Sequence, residues 1–360
     1  MKKKIGLLFG GRSGEHEVSL VSANAIARNF DTTLFEVVPL FISREGNWYG
    51  PIPVDEILTA TADRFGDAQV ILAPQPGGRL LSVNDGHEIC RLDAVFPIVH
   101  GTYGEDGVTQ GLLELADIPY AGAGVTGSAV GMDKVVMRKI LAYHNIPQVQ
   151  FTTVLRSQVE ADMPQAIATV EAALPYPVFI KPANGGSSVG INKAKNAEEL
   201  ADALRVAARY DRKILVEQGV TVREIEISVM GNEQPMVSLP GEICSSNEFY
   251  DYKAKYIDNK SVAEIPAKLD SETISRIQQL AIETYRALEC EGFARVDFFV
   301  EEGTGNIYLN EVNTLPGFTD ISMYPKMWEA AGISITELLT RLIGYAEERH
   351  MDRRKNSIDC

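Results

Sequence analysis

Short apolar runs alternate with stretches of helical period along most of the chain. Lys4 to Gly10 is an apolar run closed by Gly-Gly, which predicts a buried parallel strand. Glu17 to Phe30 carries apolar residues at helical spacing, and Phe35 to Ile42 and Ala94 to Val99 return to β-rich runs. Strands alternating with helices predict an α/β layer. Between them, about Pro51 to Arg91 is rich in Pro, Gly and Asp and reads as an irregular insertion outside the site.

Further along, Gly127 to Asn145 reads as one helix stopped by Pro147. Phe151 to Leu155 and Val178 to Ile180 read as strands, with a helix near Met163 to Leu174 between them. Asn196 has the side chain of an N-cap for a helix running to Tyr210. Ile214 to Glu217, Glu224 to Met230 and Pro235 to Leu239 are strand-like. Ser245 to Val262 is polar, rich in Tyr and Lys, and without period, the pattern of a functional or disordered loop. Asp270 or Ser271 caps a helix to Leu288. Phe293 to Val300 and Ile307 to Glu311 are strands, and Ile335 to Arg349 is a final helix.

Composition narrows the class. With 360 residues, 45% hydrophobic and 23% charged, the chain is ordinary globular protein of two or three domains. A net charge of −15 makes nucleic acid or an anionic membrane surface poor partners, so any bound anion needs a local basic site. The apolar run after Lys2-Lys3-Lys4 is too short for a signal peptide, and no stretch approaches the ~20 apolar residues of a membrane span. Cys90, Cys244, Cys290 and Cys360 are isolated, without the pairing expected of a zinc or redox motif. These features predict a cytoplasmic protein.

Two glycine-rich stretches raise the question of phosphate binding. Gly122-x-Gly124-x-x-Gly127 has the letters of a dinucleotide fingerprint, but no Asp or Glu occurs from Lys134 to Val159 to hold a ribose. It reads as a tight linker into a helix. Lys181-Pro-Ala-Asn-Gly-Gly-Ser-Ser-Val-Gly190 differs, because a lysine ends a strand and a loop of small residues follows. Such a loop offers N–H groups and hydroxyls to phosphate oxygens, and the lysine adds charge; a Gly-rich hairpin is the alternative.

An acidic set near the C-terminus strengthens the phosphate reading. Side chains alternate along a strand, so Arg295 and Asp297 share one face, as do Glu311 and Asn313. If the two strands are adjacent, their Asp, Glu and Asn oxygens form a hard donor set suited to Mg²⁺.

Together and in order, several segments resemble the ATP-grasp enzymes, and among them the D-alanine–D-alanine ligase family. They are Gly10-Gly11-x-Ser13-x-Glu15-x-Glu17-Val18-Ser19, His100-Gly101-x-x-Gly104-Glu105-Asp106-Gly107, Met132-Asp133-Lys134, and the loop from Lys181 to Gly190. Tyr250-Asp251-Tyr252-x-Ala254-Lys255-Tyr256, Arg295-x-Asp297 and Asn310-Glu311-Val312-Asn313-Thr314-x-Pro316-Gly317 complete the set. The resemblance implies an α/β chain in which an ATP-grasp fold follows a Rossmann-like parallel α/β domain. Its implied divisions are 1–122, 123–221 and 222–360, with a catalytic lid loop at 245–262.

The same resemblance assigns roles. ATP phosphorylates the carboxylate of one D-alanine, and the amine of a second displaces phosphate, for peptidoglycan precursor synthesis. Lys134, Lys181, Ser188 and Lys255 would contact ATP, Glu217, Gln218, Gly219 and Val220 would form the adenine edge, and Glu224 would meet the ribose. Asp297, Glu311 and Asn313 would hold two Mg²⁺ ions, or Mn²⁺ in their place. Glu15, Ser187 and Tyr256 would form a hydrogen-bonded triad, with Glu15 also pairing with the first substrate's ammonium. Arg295 and the Gly317 N–H would stabilise the tetrahedral intermediate. His100 would line the first subsite, with a structural strand-end histidine as its alternative, and Ser322 and Lys255 would take the second carboxylate. A homodimer is also implied.

Other readings are a ligase using D-serine or D-lactate, a non-catalytic nucleotide-binding protein, and a nicotinamide oxidoreductase. Ala254-Lys255-Tyr256 argues against D-lactate, and the complete metal set argues against loss of catalysis.

Overall fold

The computed structural model describes residues 2–187, 189–244 and 262–357. The chain opens with β1 (Lys3–Gly10), α1 (His16–Asn29), β2 (Phe35–Ile42) and β3 (Trp48–Tyr49). Then come β4 (Val70–Leu72), β5 (Arg79–Ser82), β6 (Glu88–Arg91), β7 (Ala94–Pro97) and α2 (Val108–Leu115). One sheet has the order β3-β2-β1-β7, with β2, β1 and β7 parallel and β3 antiparallel at the edge. Ile5, Leu7, Leu8 and Phe9 are all buried, as an apolar run in a covered parallel strand requires.

The stretch from Pro51 to Arg91 is more ordered than its composition predicts. β4, β5 and β6 form an antiparallel sheet of their own, and Val70, Leu72 and Leu80 are buried. Strands of three or four residues give too few alternations to be read by period.

The middle of the chain holds α3 (Val125–Met132), α4 (Lys134–Tyr143), β8 (Phe151–Leu155), α5 (Arg156–Ala161) and α6 (Met163–Ala173). It continues with β9 (Val178–Pro182), β10 (Asn192–Ala194), α7 (Ala197–Tyr210) and β11 (Lys213–Gln218), and its sheet is antiparallel in the order β10-β9-β11-β8. The expected single helix from Gly127 to Asn145 is two. Asp133 leaves helical geometry at φ −82° and ψ 93°, and its side chain accepts from the Val136 N–H to cap α4. The break puts Lys134 at the head of a helix, with its N–H bonded to the Ala183 carbonyl at 3.0 Å. Asn196 caps α7 through the Glu199 N–H, as the sequence predicts.

The last part contains β12 (Val222–Met230), β13 (Met236–Val237), β14 (Gly241–Cys244), β15 (Val262–Glu264) and α8 (Ser271–Ala287), the last capped by Asp270. β16 (Phe293–Glu301), β17 (Ile307–Asn313), α9 (Met323–Ala330) and α10 (Ile335–Arg353) follow. The sheet runs β15-β14-β12-β16-β17, with β13 beside β12. Only Met236–Val237 of the strand expected from Pro235 to Leu239 forms. The final helix exceeds its expected end at Arg349 by one turn.

One apolar cluster joins the first sheet to the last part of the chain. Phe96 of β7 stacks on Phe293 of β16 with ring centroids 5.9 Å apart, and Phe318 and Tyr324 close around them. Each such buried ring contributes roughly 1.5–3 kcal/mol of transfer free energy. This cluster fixes the carboxyl ends of β1 and β7 against the end of β17. Among the described residues, no helix is long and apolar enough to cross a membrane.

Candidate active site

The first cavity lies where β1 and β7 end, the usual ligand position in a parallel sheet. Glu15 and His100 enter it from the turns after those strands, Lys134 from the head of α4, and Ser187 from the glycine-rich loop. Arg295, Glu311, Asn313 and Gly317 line its other wall. Residues from five distant stretches of sequence therefore share one cleft. The Ser187 hydroxyl donates to Glu15 Oε1, and Ser187 holds φ at +50°, a costly conformation for a non-glycine residue. A Cβ on Gly186 would fall 2.6 Å from Glu15 Oε2, so this loop reaches Glu15 only because a side chain is missing there.

His100 is buried and tied on both ring nitrogens. Nδ1 lies 3.0 Å from the Leu315 carbonyl and 3.7 Å from Glu105 Oε1, and Nε2 lies 3.1 Å from Ser22 Oγ. A carbonyl only accepts, so Nδ1 carries a proton. Burial pulls the His100 pKa down, but the Glu105 and Glu15 carboxylates more than offset it and hold it above 6.5. Ser22 Oγ also accepts from the Phe318 N–H at 3.3 Å, linking the histidine to the turn that carries Gly317. Glu105 lines the cavity and has no assigned role in the sequence reading, although the motif from His100 to Gly107 contains it.

On the opposite wall, β16 and β17 pair antiparallel, with Arg295 opposite Asn313 and Asp297 opposite Glu311. All four share one face, as the period of two predicts. Arg295 is forked onto Asp297, with Nε and Nη2 each 2.7 Å from a carboxylate oxygen, and Nε lies 3.0 Å from Glu226. Burial opposes the charge on Arg295, but Asp297 and Glu226 hold its pKa well above the ordinary value. Asn313 Nδ2 donates to Asp297 Oδ2 at 2.9 Å, which turns its own carbonyl oxygen away from that carboxylate. Glu311 lies 3.4 Å from Lys134 Nζ. Two carboxylates and an amide oxygen on one half-buried face fit the donor chemistry of Mg²⁺. Asp297 itself is buried and does not line the cavity directly.

Gly317 belongs to this wall, and Ser322 sits behind it. A Cβ on Gly317 would fall 2.7 Å from Ser322 Oγ, and Ser322 Oγ accepts from the Thr319 N–H at 2.9 Å. Ser322 precedes α9 but does not line the first cavity.

A second cavity opens between the middle and last sheets. Lys181, Glu217, Gln218, Val220 and Glu224 line it, together with Val149, Phe179, Ile243 and Phe299. Gly219 lies between two lining residues, and its N–H is taken by the Pro177 carbonyl at 2.8 Å. The apolar residues suit a flat ring, and the charged residues suit a ribose and phosphates. The Glu217 carboxylate is committed to Arg138 and to Lys181, the latter at 2.6 Å. Burial raises the Glu217 pKa, but those two cations outweigh it and hold the group below 4.5. Ser188, Lys255, Tyr256 and the expected lid through Ser261 lie outside the described residues.

The whole chain has relatives of known kind. Residues 4–123 match the family described as D-ala D-ala ligase N-terminus, and residues 140–344 the one described as D-ala D-ala ligase C-terminus. A D-alanine–D-alanine ligase of Natranaerobius thermophilus is 48% identical over 362 residues, spanning 100% of this chain and 99% of that protein. One of Thermoanaerobacter pseudethanolicus is 49% identical over 357 residues, spanning 98% of each. Among solved structures, the VanG D-Ala:D-Ser ligase from Enterococcus faecalis has a TM-score of 0.86 at 38% identity, covering 96% of this chain and 100% of that one. The D-alanine–D-alanine ligase from Coxiella burnetii has a TM-score of 0.83 at 36% identity, covering 98% of each. The two clefts thus lie in an ATP-grasp fold that follows a parallel α/β unit, and the chain belongs to the D-alanine–D-alanine ligase family.

Proposed function

We infer that the chain joins two D-alanines into D-alanyl-D-alanine at the expense of ATP, forming ADP, for peptidoglycan precursor synthesis. The observation that carries this reading is the first cavity. It gathers a carboxylate suited to an ammonium, Glu15, with Lys134, Arg295 and the Gly317 turn in one cleft.

A carboxylate does not react with an amine near neutral pH, so it must be activated. A carboxylate oxygen of the first D-alanine attacks the γ-phosphorus of ATP, the bond to ADP breaks, and an acyl phosphate forms. The amine of the second D-alanine then attacks the carbonyl carbon, and phosphate leaves with the attacking oxygen. The protein's part is positioning and charge stabilisation. Glu15, steadied by Ser187, holds the first ammonium, and His100 packs beside it. Arg295 and the Gly317 N–H stabilise the developing oxyanion, while Ser322 with Lys255 receives the second carboxylate.

Lys134, Lys181, Ser188 and Lys255 neutralise the phosphates, and Glu217 to Val220 with Glu224 receive the adenosine. Asp297, Glu311 and Asn313 would hold two Mg²⁺ ions, which when bound neutralise charge on the phosphate oxygens. Tyr256 completes the triad with Ser187 and Glu15, and segment 245–262 acts as the lid that excludes water. The divisions at residues 122 and 221, a homodimer and a cytoplasmic location belong to the same reading.

One observation favours a second acceptor: the D-Ala:D-Ser ligase among the structural neighbours. The discriminating experiment is ADP release with D-alanine as donor and D-alanine, D-serine, D-lactate or L-alanine as acceptor. D-Alanine should be preferred, and faster turnover with D-serine would move the assignment to that acceptor.

A further inference from the structure

We propose that Arg138 is a positioning residue for the nucleotide, acting from behind the cavity through Glu217 on Lys181. The inference rests on the reading of the second cavity as the ATP site. Arg138 lies one turn after Lys134 on α4 and is only 1% exposed, so it touches neither cavity. Its guanidinium is spread between two elements. Nη2 donates to Glu217 Oε1, and Nη1 donates to the Leu309 carbonyl of β17 at 2.6 Å. The other Glu217 oxygen, Oε2, takes Lys181 Nζ at 2.6 Å, and Lys181 also reaches Asn310 Oδ1 of β17 at 3.4 Å.

Charge explains why both cations are needed. Glu217 is 2% exposed, and a carboxylate so buried must be paired. Two cations share it, so the triad carries a net charge of about +1, and only Lys181 presents that charge to the cavity. If Arg138 were neutral, Glu217 and Lys181 would form a closed, neutral pair. The lysine would then be held back from a phosphate, and the cavity would lose one positive charge in a chain of net charge −15. The Leu309 bond adds position. It fixes the triad to the strand that bears Glu311 two residues on, so the phosphate lysine and that carboxylate share one frame. Lysine at 138 would keep the charge but not the fixed fork that serves both partners.

The test uses the full chain, with ADP and Mg²⁺ titrated calorimetrically and KM measured separately for ATP and D-alanine. Arg138→Met should weaken ADP binding about tenfold or more, the usual effect of losing a charged hydrogen bond, and raise KM for ATP while sparing that for D-alanine. Arg138→Met with Glu217→Gln should recover much of the loss, because a neutral partner releases Lys181. Arg138→Lys should bind ADP about threefold or more weakly than the wild type, and it serves if the methionine variant does not fold. A purely structural arginine would lower thermal stability without splitting the two KM values or giving the double-variant recovery. Wild-type protein that binds no ADP overturns the nucleotide assignment itself. Wild-type binding with unchanged affinity in Arg138→Met, or in Arg138→Lys if it alone folds, overturns the role of Arg138 only. A double variant no better than Arg138→Met overturns it as well.

Discussion

Asp297 and Glu311 stand directly opposite each other in the antiparallel pairing of β16 and β17, one residue before the register shifts at Asp297/Phe298. The pairing puts two acids on one face, where like charges repel unless cations intervene. Arg295 and Lys134 supply cations here, and a divalent ion fits the same place. Glu311→Gln keeps the shape and removes the charge. Turnover should be abolished while the melting temperature stays close to that of the wild type. Near-normal activity at limiting Mg²⁺ would remove Glu311 from the ligand set.

Arg295 has two partners to lose. Removing an oxyanion donor costs ~3 kcal/mol, or about a hundredfold or more in turnover. Arg295→Ala should therefore depress kcat far more than ATP affinity. Its fork on Asp297 adds a stability loss, read as a lower melting temperature. Weak ATP binding with normal turnover at saturation would make Arg295 a nucleotide anchor instead.

Ser187→Ala removes the hydroxyl that donates to Glu15. A hydrogen bond to a charged group is worth about 2 kcal/mol, so KM for the first D-alanine should rise by about tenfold or more. KM for ATP should move little. The reverse pattern would make Ser187 part of the phosphate loop only.

Cys244 gives a chemical reporter. It is exposed and lines the second cavity, while Cys290 is buried with its thiol pushed up to about 12 by desolvation. Burial and the Glu242 and Glu264 carboxylates also raise the Cys244 pKa. Iodoacetamide should alkylate Cys244 faster at pH 9 than at pH 7, leave Cys290 intact, and be slowed by ADP. Mass spectrometry of the peptides reads all three, and alkylation indifferent to ADP would separate this cavity from the nucleotide.

Glu217 predicts an acid dependence. Its folded pKa lies below 4.5, so the native state gives up the proton more readily than the unfolded chain. Its contribution is complete above the unfolded pKa and is lost as pH falls through the lower folded one. Melting temperatures of wild type and Glu217→Gln should differ most near pH 7 and converge as the pH falls below the ordinary carboxylate range. A gap independent of pH would mean that the carboxylate charge is not what stabilises the fold.

The site face was the most legible part of the sequence, because a period of two needs only three residues to put Arg295 and Asp297 on one side. The caps at Asn196 and Asp270 were legible for a similar reason, since their signals are local. The break at Asp133 was not, because apolar period runs on across it and the Lys134 N–H finds its partner at Ala183, far along the chain. The sheet within residues 51–91 was hidden by the shortness of its strands. Glu217 was legible as a strand residue, but its burial between Arg138 and Lys181 depends on three elements that only the fold brings together.

If ATP activates the D-alanine carboxylate as an acyl phosphate, the oxygen atoms report on it directly. D-Alanine labelled with ¹⁸O in its carboxylate should be incubated with ATP, Mg²⁺ and the enzyme, and the released phosphate weighed by mass spectrometry. Each phosphate should carry one oxygen from the labelled carboxylate, with one D-alanyl-D-alanine formed per ADP. Phosphate free of the label, released while dipeptide accumulates, would contradict the acyl phosphate and with it the assigned roles of both clefts.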